Sequence, residues 1–197
     1  MTRSRSPKSF TRRKDFKQTR KSFLIVCEGE KTEPNYFGKF RVRGRTVDVR
    51  GIGANTDSLV RAAIKLKAKG SYDRVWCVFD RDSFPVANFN SAIALAAANG
   101  IEVAYSNEAF EIWYLLHFNY HDSGTGRALY EEMLTKRLGS KYFKNDPDMF
   151  DKLVSMLPTA IKNAEALMSS YPNPSPVNDN PSTTVYKLVK ALLENSG

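Results

Sequence analysis

Residues 23–33 read FLIVCEGEKTE and combine a strand pattern with an acidic turn. Its first five residues are apolar, which is typical of a strand buried on both faces of a parallel sheet. The strand ends at Glu28, where Gly29 allows the backbone to turn sharply. Thr32 and Pro34 suit the cap and the first turn of a following helix. The stretch therefore predicts a carboxylate at the carboxyl end of a core strand, where open α/β sheets bind ligands.

A second apolar run, VWCVF at residues 75–79, ends in another acidic turn, Asp80-Arg81-Asp82. Because the carboxyl ends of parallel strands share one edge of a sheet, we expect Glu28, Asp80 and Asp82 to lie close together. Three carboxylates at that distance repel one another unless a cation lies between them. Carboxylate oxygens are hard ligands that suit Mg²⁺ or Mn²⁺, so the sequence predicts one of these ions as cofactor.

The alternation of strands and helices along residues 22–118 indicates an α/β core. We predict a parallel sheet of about four strands with flanking helices. The remaining residues, 119–197, are expected to form an all-helical extension packed on this core. The predicted strands are 23–27, 46–52, 74–79 and 101–105, and the predicted helices of the core are 34–40, 57–69, 88–99 and 108–118.

The extension is expected to contain four helices. Pro158 should interrupt the helical pattern between the second and the third of them. Residues 180–184 are rich in capping groups, so Thr183 and Thr184 either cap the last helix or meet a substrate phosphate at its end. The predicted helices are 127–138, 147–157, a third that ends near residue 170, and 182–194.

Two glutamates lie in the first turn of the predicted helix 108–118, which is apolar on most sides and should be buried. Glu108 and Glu111 are three residues apart and share one face of that turn. We interpret Glu108 as a residue that favours the positive end of the helix, with Ser106 and Asn107 as caps. Glu111 is interpreted as a further ligand that faces the metal site.

The chemistry expected of this set is cleavage of phosphodiester bonds. A cation held by Asp80 and Asp82 would neutralise the phosphodiester and stabilise the leaving oxygen. Glu28 would bind metal or act as a general acid or base, and Glu33 or Glu111 would complete a second metal position.

Two basic residues lie beside these acids. Lys31 is expected to take part in catalysis and Arg81 to bind substrate phosphate, the alternative being that each only balances nearby charge. An Asp-x-Asp turn also has a purely structural interpretation, because aspartate accepts hydrogen bonds from backbone amides.

The charge of the chain is concentrated at its start. Residues 1–21 contain nine Lys or Arg and one acid, Asp15, and so supply +8 of the formal net charge of +9. This basic tail is expected to be disordered, and either binds nucleic acid or only aids solubility. Cys27 and Cys77 are expected to be reduced core residues. The chain has no secretory signal and no apolar run near the roughly 20 residues of a membrane span, which predicts a cytoplasmic protein without membrane contact.

The acidic motifs resemble those of a known family. Glu28-Gly29 with Asp80-x-Asp82 resembles the Toprim pattern of topoisomerases, primases and the OLD-family nucleases, which implies that the α/β core is a Toprim-like parallel sheet. More closely, the sequence is similar to the RloB-like family. The matching segments are CEGEKTEPNYF at 27–37, VFDRD at 78–82, SNEAFEIWYLLHF at 106–118 and NPSTTVYKLV at 180–189.

The resemblance implies a Mg²⁺-dependent nuclease in bacterial anti-phage defence, acting on DNA or RNA with an ABC- or SMC-type ATPase as partner. It implies an acid–base role for Glu28, a metal-binding pair in Asp80 and Asp82, and a functional role for Glu111. The chain departs from the wider Toprim pattern in two ways: Glu33 falls one place later than its counterpart in OLD proteins, and Ser83 stands where topoisomerases have a third aspartate.

Two other functions are compatible with an acidic sheet edge. The first is a non-catalytic module that binds metal and a nucleotide or nucleic acid for sensing or assembly. The second is a phosphoacceptor receiver domain, which requires a lysine after a late core strand, whereas Ser106, Asn107 and Glu108 follow the strand 101–105. Homo-oligomer formation is left open by the sequence.

Overall fold

The structure is a computed structural model that describes residues 22–81 and 85–194. The predicted basic tail, residues 1–21, and the predicted ligand Asp82 lie outside the described residues. The strands are β1 Ser22–Cys27, β2 Thr46–Gly51, β3 Arg74–Asp80, β4 Glu102–Asn107 and β5 Ser182–Thr183. The α-helices are α1 Thr32–Phe37, α2 Thr56–Lys69, α3 Val86–Ala98, α4 Glu111–Leu115, α5 Arg127–Leu138, α6 Met149–Leu153, α7 Leu157–Ser169 and α8 Val185–Leu193, with a 3₁₀ turn at Val154–Met156.

The five strands form one sheet in the order β2-β1-β3-β4-β5. The first four are parallel, and β5 pairs antiparallel with β4. The predicted α/β class with a parallel sheet and flanking helices is confirmed, and it is consistent with a Toprim-like fold. The prediction that residues 119–197 are all-helical is wrong at Ser182–Thr183, because these residues add the fifth strand to the sheet.

Both faces of the sheet are covered, which explains the continuous apolar runs. Phe23, Ile25 and Cys27 point to the face that carries α1, α4 and the C-terminal helices. Leu24 and Val26 point to the face that carries α2 and α3. Cys27 and Cys77 are buried and free, as predicted. No helix in the described part of the chain is both long and apolar enough to cross a membrane.

Several predicted helix starts are corrected by the structure. The helix predicted to begin at residue 57 begins at Thr56, and the side chain of Asn55 caps it by accepting a hydrogen bond from the Ser58 amide at 3.0 Å. Thr32 does not cap α1, because its hydroxyl donates to Asn145 at 2.6 Å. The predicted break near Pro158 is present, because α7 begins at Leu157 and Pro158 lies in its first turn, where no amide proton is needed.

The predicted helix 108–118 is also wrong in its start. Ser106 and Asn107 belong to β4, and α4 begins only at Glu111. Glu108 therefore precedes the helix by three residues and is not its cap. The residues that resemble a capping sequence, Ser106 and Asn107, instead form backbone pairs in the sheet.

An imidazole lies inside the aromatic cluster that packs α1 against α4. His117 is 1% exposed, and its Nδ1 lies 2.9 Å from the carbonyl oxygen of Trp113. The hydroxyl of Tyr36 is 3.5 Å from Nε2. Burial lowers the pKa of His117 to about 4, because the charged ring would lose its hydration.

We expect this histidine to make the protein acid-sensitive. Because the folded pKa is lowered, its contribution to stability is present above the unfolded pKa of about 6.5 and is lost as the pH falls towards 4. Relative to His117→Gln, the free energy of unfolding of the wild type should fall by roughly 2–3 kcal/mol between about pH 7 and about pH 4.5. Urea denaturation of both proteins at each pH measures this difference, and parallel pH profiles would show that His117 does not titrate as inferred.

Candidate functional site

A polar cavity of about 440 Å³ lies at the carboxyl edge of the sheet. It is formed where β1 and β3 end, and it is closed by α1, the start of α4, the start of α5 and the loop before α6. Its lining is dominated by charged side chains. The acidic residues are Glu28, Glu30, Glu33, Asp80 and Glu111, the basic residues are Lys31, Arg127 and Lys144, and the others are Gly29, Thr32, Phe110 and Asn145.

Glu28 and Asp80 meet because β1 and β3 are neighbouring parallel strands. The amide of Glu28 donates to the carbonyl oxygen of Val78 at 2.9 Å, which extends the strand pairing to the end of β1. The amide of Asp80 donates to Oε2 of Glu28 at 3.2 Å. The side chain of Asp80 is only 14% exposed. The structure thus brings Glu28 close to Asp80, one residue from each of the two predicted acidic turns.

Two buried glutamates from helices complete the acidic wall. Glu33 of α1 is 5% exposed, and its Oε2 has no hydrogen-bond partner among the described residues. The Glu33 carboxylate lies directly against Gly29. Glu111, the first residue of α4, is 2% exposed, and its Oε1 accepts a hydrogen bond from the hydroxyl of Tyr142 at 3.1 Å. A carboxylate oxygen that is buried without a partner indicates that a positively charged group belongs beside it.

The pKa values of Asp80 and Glu33 are raised, first by burial and then by the neighbouring acids. Burial raises the pKa of Asp80 well above its usual range, and the neighbouring carboxylates of Glu33, Glu111 and Glu28 raise it further, while Arg127 lowers it. Burial likewise raises the pKa of Glu33, where Glu111 adds to the effect and Lys144 and Arg127 oppose it. The site therefore has more negative charge than its own basic residues neutralise.

Arg127 lies beside two of the acids. It is the first residue of α5, and its Nη2 lies 3.2 Å from Oδ2 of Asp80. Its Nε lies 4.0 Å from Oε2 of Glu111. A single guanidinium therefore lies between a strand-end aspartate and a helix-start glutamate, and it provides a positive charge at this place in the cavity.

The loop between α5 and α6 forms the opposite wall. Asn145 accepts hydrogen bonds through its side chain from Thr32 at 2.6 Å and through its carbonyl oxygen from Asn35 at 3.0 Å. These contacts hold Lys144 at the rim of the acidic cavity. No sequence motif indicates a role for Arg127, Lys144 or Asn145, which reach the site only through long-range packing.

A family model described as RloB-like protein matches residues 23–192. The chain belongs to the RloB-like family. The matched range includes both the sheet edge with its acids and the C-terminal segment that supplies Arg127 and β5. Neither a curated protein nor a solved structure matches the chain.

The two basic residues that were predicted for the site of this RloB-like chain differ in their position relative to the acidic cavity. Lys31 lines the cavity and is exposed. Arg81 does not line it, and its amide donates to the carbonyl oxygen of Ser106 at 2.8 Å.

Thr183 and Thr184 are not among the residues that line the acidic cavity. Both are buried against β4, where the Thr183 hydroxyl is 3.1 Å from that of Ser106 and the Thr184 hydroxyl accepts from the Tyr105 amide at 2.9 Å. These contacts join β5 to the sheet, so the described structure shows these hydroxyls in structural hydrogen bonds.

The donor chemistry of the RloB-like site fits a magnesium or manganese ion. Carboxylate oxygens from Glu28, Glu33, Asp80 and Glu111 face one cavity, and one oxygen of Glu33 is buried without a partner. Among the described residues, no group of three or more acidic, histidine or cysteine side chains already has the spacing of a metal site. Binding would therefore require the carboxylates to draw together around the ion.

Proposed function

We propose that this RloB-like protein is a Mg²⁺-dependent nuclease of the Toprim type that cleaves phosphodiester bonds in nucleic acid. The observation that carries the proposal is the convergence of Glu28, Asp80, Glu33 and Glu111 on a cavity that basic side chains also line. Acids suited to a divalent cation, next to bases suited to phosphate oxygens, are the combination that phosphodiester cleavage requires.

The metal-binding role falls to the buried acids. Asp80, Glu33 and Glu111 would hold the ion, and Asp82, which lies outside the described residues, stays a predicted ligand. A bound divalent cation neutralises the phosphodiester and stabilises the leaving oxygen. The excess of negative charge in the cavity favours such a cation and raises the energy of the site without it.

The chain's own residues supply the rest of the chemistry. Oε2 of Glu28 is oriented by the Asp80 amide, which positions this carboxylate to accept or donate a proton at the reacting phosphate. Lys31 and Lys144 line the cavity from two sides and would bind phosphate oxygens. Arg127 would contact the phosphate from its position between Asp80 and Glu111.

The biological setting is proposed from the family resemblance. We infer that the protein works in the cytoplasm in anti-phage defence, together with an ABC- or SMC-type ATPase. A nuclease of this kind would be toxic if it were always active, so the partner is expected to control when cleavage occurs.

The proposed activity is tested by incubating the purified chain with single-stranded DNA, duplex DNA and transfer RNA in Mg²⁺, Mn²⁺ or EDTA. Each reaction is run with and without the product of a neighbouring ATPase gene. Cleavage that requires a metal supports the nuclease. Binding of metal and nucleic acid without cleavage in every reaction would support the non-catalytic module instead, and binding of neither would contradict both functions.

Gly29 offers a way to disturb the metal site without removing a ligand. A Cβ at this position would meet the Glu33 carboxylate, so Gly29→Ala should push that carboxylate away from its place in the cavity. We expect Mg²⁺ affinity to fall about tenfold. The free energy of unfolding should change by less than about 1 kcal/mol, because a flexible side chain can move aside.

The affinity is measured by calorimetric titration with Mg²⁺. Gly126→Ala is the matched control, because a methyl group there meets open space. Equal affinities for both variants and the wild type would exclude Glu33 as a ligand whose position matters.

A further inference from the structure

A second polar cavity, of about 290 Å³, lies where α2 and α3 begin. The two helices follow β2 and β3, so both start at the carboxyl edge of the sheet, and both pack on the face opposite to α1 and α4. The cavity is lined by short polar side chains from the cap and the first two turns of these helices. They are Asn55, Thr56, Asp57, Ser58, Asn88 and Ser91.

The amino ends of two helices therefore meet at one cavity. α2 has 14 residues and α3 has 13, so each carries a full helix dipole whose positive end lies at this place. Two positive ends side by side favour a negatively charged ligand and disfavour a cation. The hydroxyls of Ser58 and Ser91 and the side-chain amide of Asn88 are hydrogen-bond donors of the kind that bind phosphate oxygens.

A buried hydroxyl independently indicates a ligand here. Thr56 is 2% exposed, and its Oγ1 has no hydrogen-bond partner among the described residues. A buried hydroxyl without a partner is costly, and this one belongs to a residue that lines the cavity. A phosphate oxygen in the cavity would supply the missing partner.

The acidic residue of the cavity does not oppose this interpretation. Oδ2 of Asp57 accepts a hydrogen bond from Nε of Arg61 at 2.7 Å, one turn along α2. This ion pair balances the carboxylate charge at the cavity.

We propose that this cavity binds a phosphate group of the nucleic-acid strand whose cleaved phosphodiester lies in the acidic cavity. The assignment of the bound phosphate to a nucleic-acid strand rests on the proposed function, whereas phosphate binding itself does not. A short segment of the chain connects the two cavities. Glu30 lines the acidic cavity and packs against Gly53, and Asn55, two residues after Gly53, lines the second cavity. A nucleic-acid strand that crosses the carboxyl edge of the sheet would thus contact the two cavities one after the other.

Phosphate binding is tested by nuclear magnetic resonance titration of the metal-free protein with inorganic phosphate. We expect saturable shifts of the backbone amide signals of Thr56, Asp57 and Asn88. Ser91→Asp places a negative charge in the cavity and should weaken binding at least about fivefold. Ser71→Asp is the matched control, because Ser71 is an exposed serine at the other end of α2, and it should leave binding unchanged.

Thr56→Val separates a ligand contact from a structural role. It removes a hydroxyl that has no partner among the described residues, so the melting temperature should stay equal or rise, while phosphate binding weakens. A lower melting temperature with unchanged phosphate binding would show that the hydroxyl only supports the fold, and would overturn its assignment as a phosphate donor.

The assignment of the phosphate to a nucleic-acid strand is tested by repeating the titration with a single-stranded oligonucleotide in the presence of Ca²⁺. Shifts at Thr56 and Asn88 that Ser91→Asp abolishes would support it. Shifts with inorganic phosphate but not with the oligonucleotide would overturn the assignment to a nucleic-acid strand and would still support a phosphate site. No shift with either ligand would overturn the site. Absence of nuclease activity would leave the phosphate result intact, because that titration involves no cleavage.

Discussion

Asp80→Asn and Glu28→Gln are each expected to lower the rate of metal-dependent cleavage at least about a thousandfold. The first substitution keeps the size of the side chain but removes the charge that holds a cation. The second keeps an acceptor for the hydrogen bond from the Asp80 amide, but its carboxamide can no longer exchange a proton at the phosphate. Both changes act on groups that the nuclease needs and leave their surroundings in place.

The fold should survive these substitutions. Burial and the neighbouring carboxylates raise the pKa of Asp80 because they disfavour its charged form, so its surroundings should accept an uncharged amide. The melting temperature of Asp80→Asn without metal should therefore equal or exceed that of the wild type.

Cleavage of a labelled strand, with circular dichroism of each variant, measures both outcomes. Asp151→Asn is the control, because Asp151 is an exposed aspartate whose ion pair with Lys39 lies on the surface. Wild-type turnover by both Asp80→Asn and Glu28→Gln would refute the proposed nuclease site.

Arg127→Met is expected to destabilise the metal-free protein by about 3 kcal/mol. The guanidinium lies beside Asp80, which is 14% exposed, and near Glu111, which is 2% exposed. Methionine fills part of the same volume but leaves these carboxylates without the positive charge that balances them. Millimolar Mg²⁺ should recover most of the loss, since the ion would provide that charge.

Urea denaturation with and without Mg²⁺ measures this effect. Arg61→Met is the control, because it breaks an exposed ion pair with Asp57 on a helix surface and should cost about 0.5 kcal/mol with no response to Mg²⁺. If Mg²⁺ stabilised Arg127→Met no more than it stabilises the wild type, the ion would not bind beside Asp80 and Glu111.

The sequence predicts the centre of the site well because local patterns determine it. Two apolar runs that each end in an acidic turn can be placed in neighbouring parallel strands, and the structure brings Glu28 and Asp80 within one hydrogen bond of each other. The glutamate of the Phe110-Glu111 pair was also placed at the site from its position in a buried helix. These inferences need only strand period, turn chemistry and sheet direction.

The basic wall of the site is not accessible to the same reasoning. Arg127 begins an ordinary amphipathic helix, and Lys144 lies in a loop, so neither residue differs in pattern from a solvated surface charge. They reach the acids only because α5 and its following loop pack over α4 and α1, a long-range arrangement that local sequence does not encode.

The wrong prediction that the last helix begins at residue 182 has a different cause. Residues 180–184 have the composition of a helix cap, but the edge of β4 offers backbone partners for Ser182 and Thr183. Pairing with that edge buries both residues completely and delays the last helix to Val185. Tertiary pairing therefore overrides a strong local signal.

The pairing of β5 with β4 also affects the order in which the parts of the acidic cavity come together during folding. The contact between Ser106 and Thr183 spans 77 residues, so we expect it to form late in folding, because closing a long segment costs conformational entropy. α4 and α5, which carry Glu111 and Arg127, lie within that segment. A chain that has assembled only its first three strands would hold Glu28, Glu33 and Asp80 without Glu111 and Arg127, so the proposed metal site would be incomplete in a half-folded molecule.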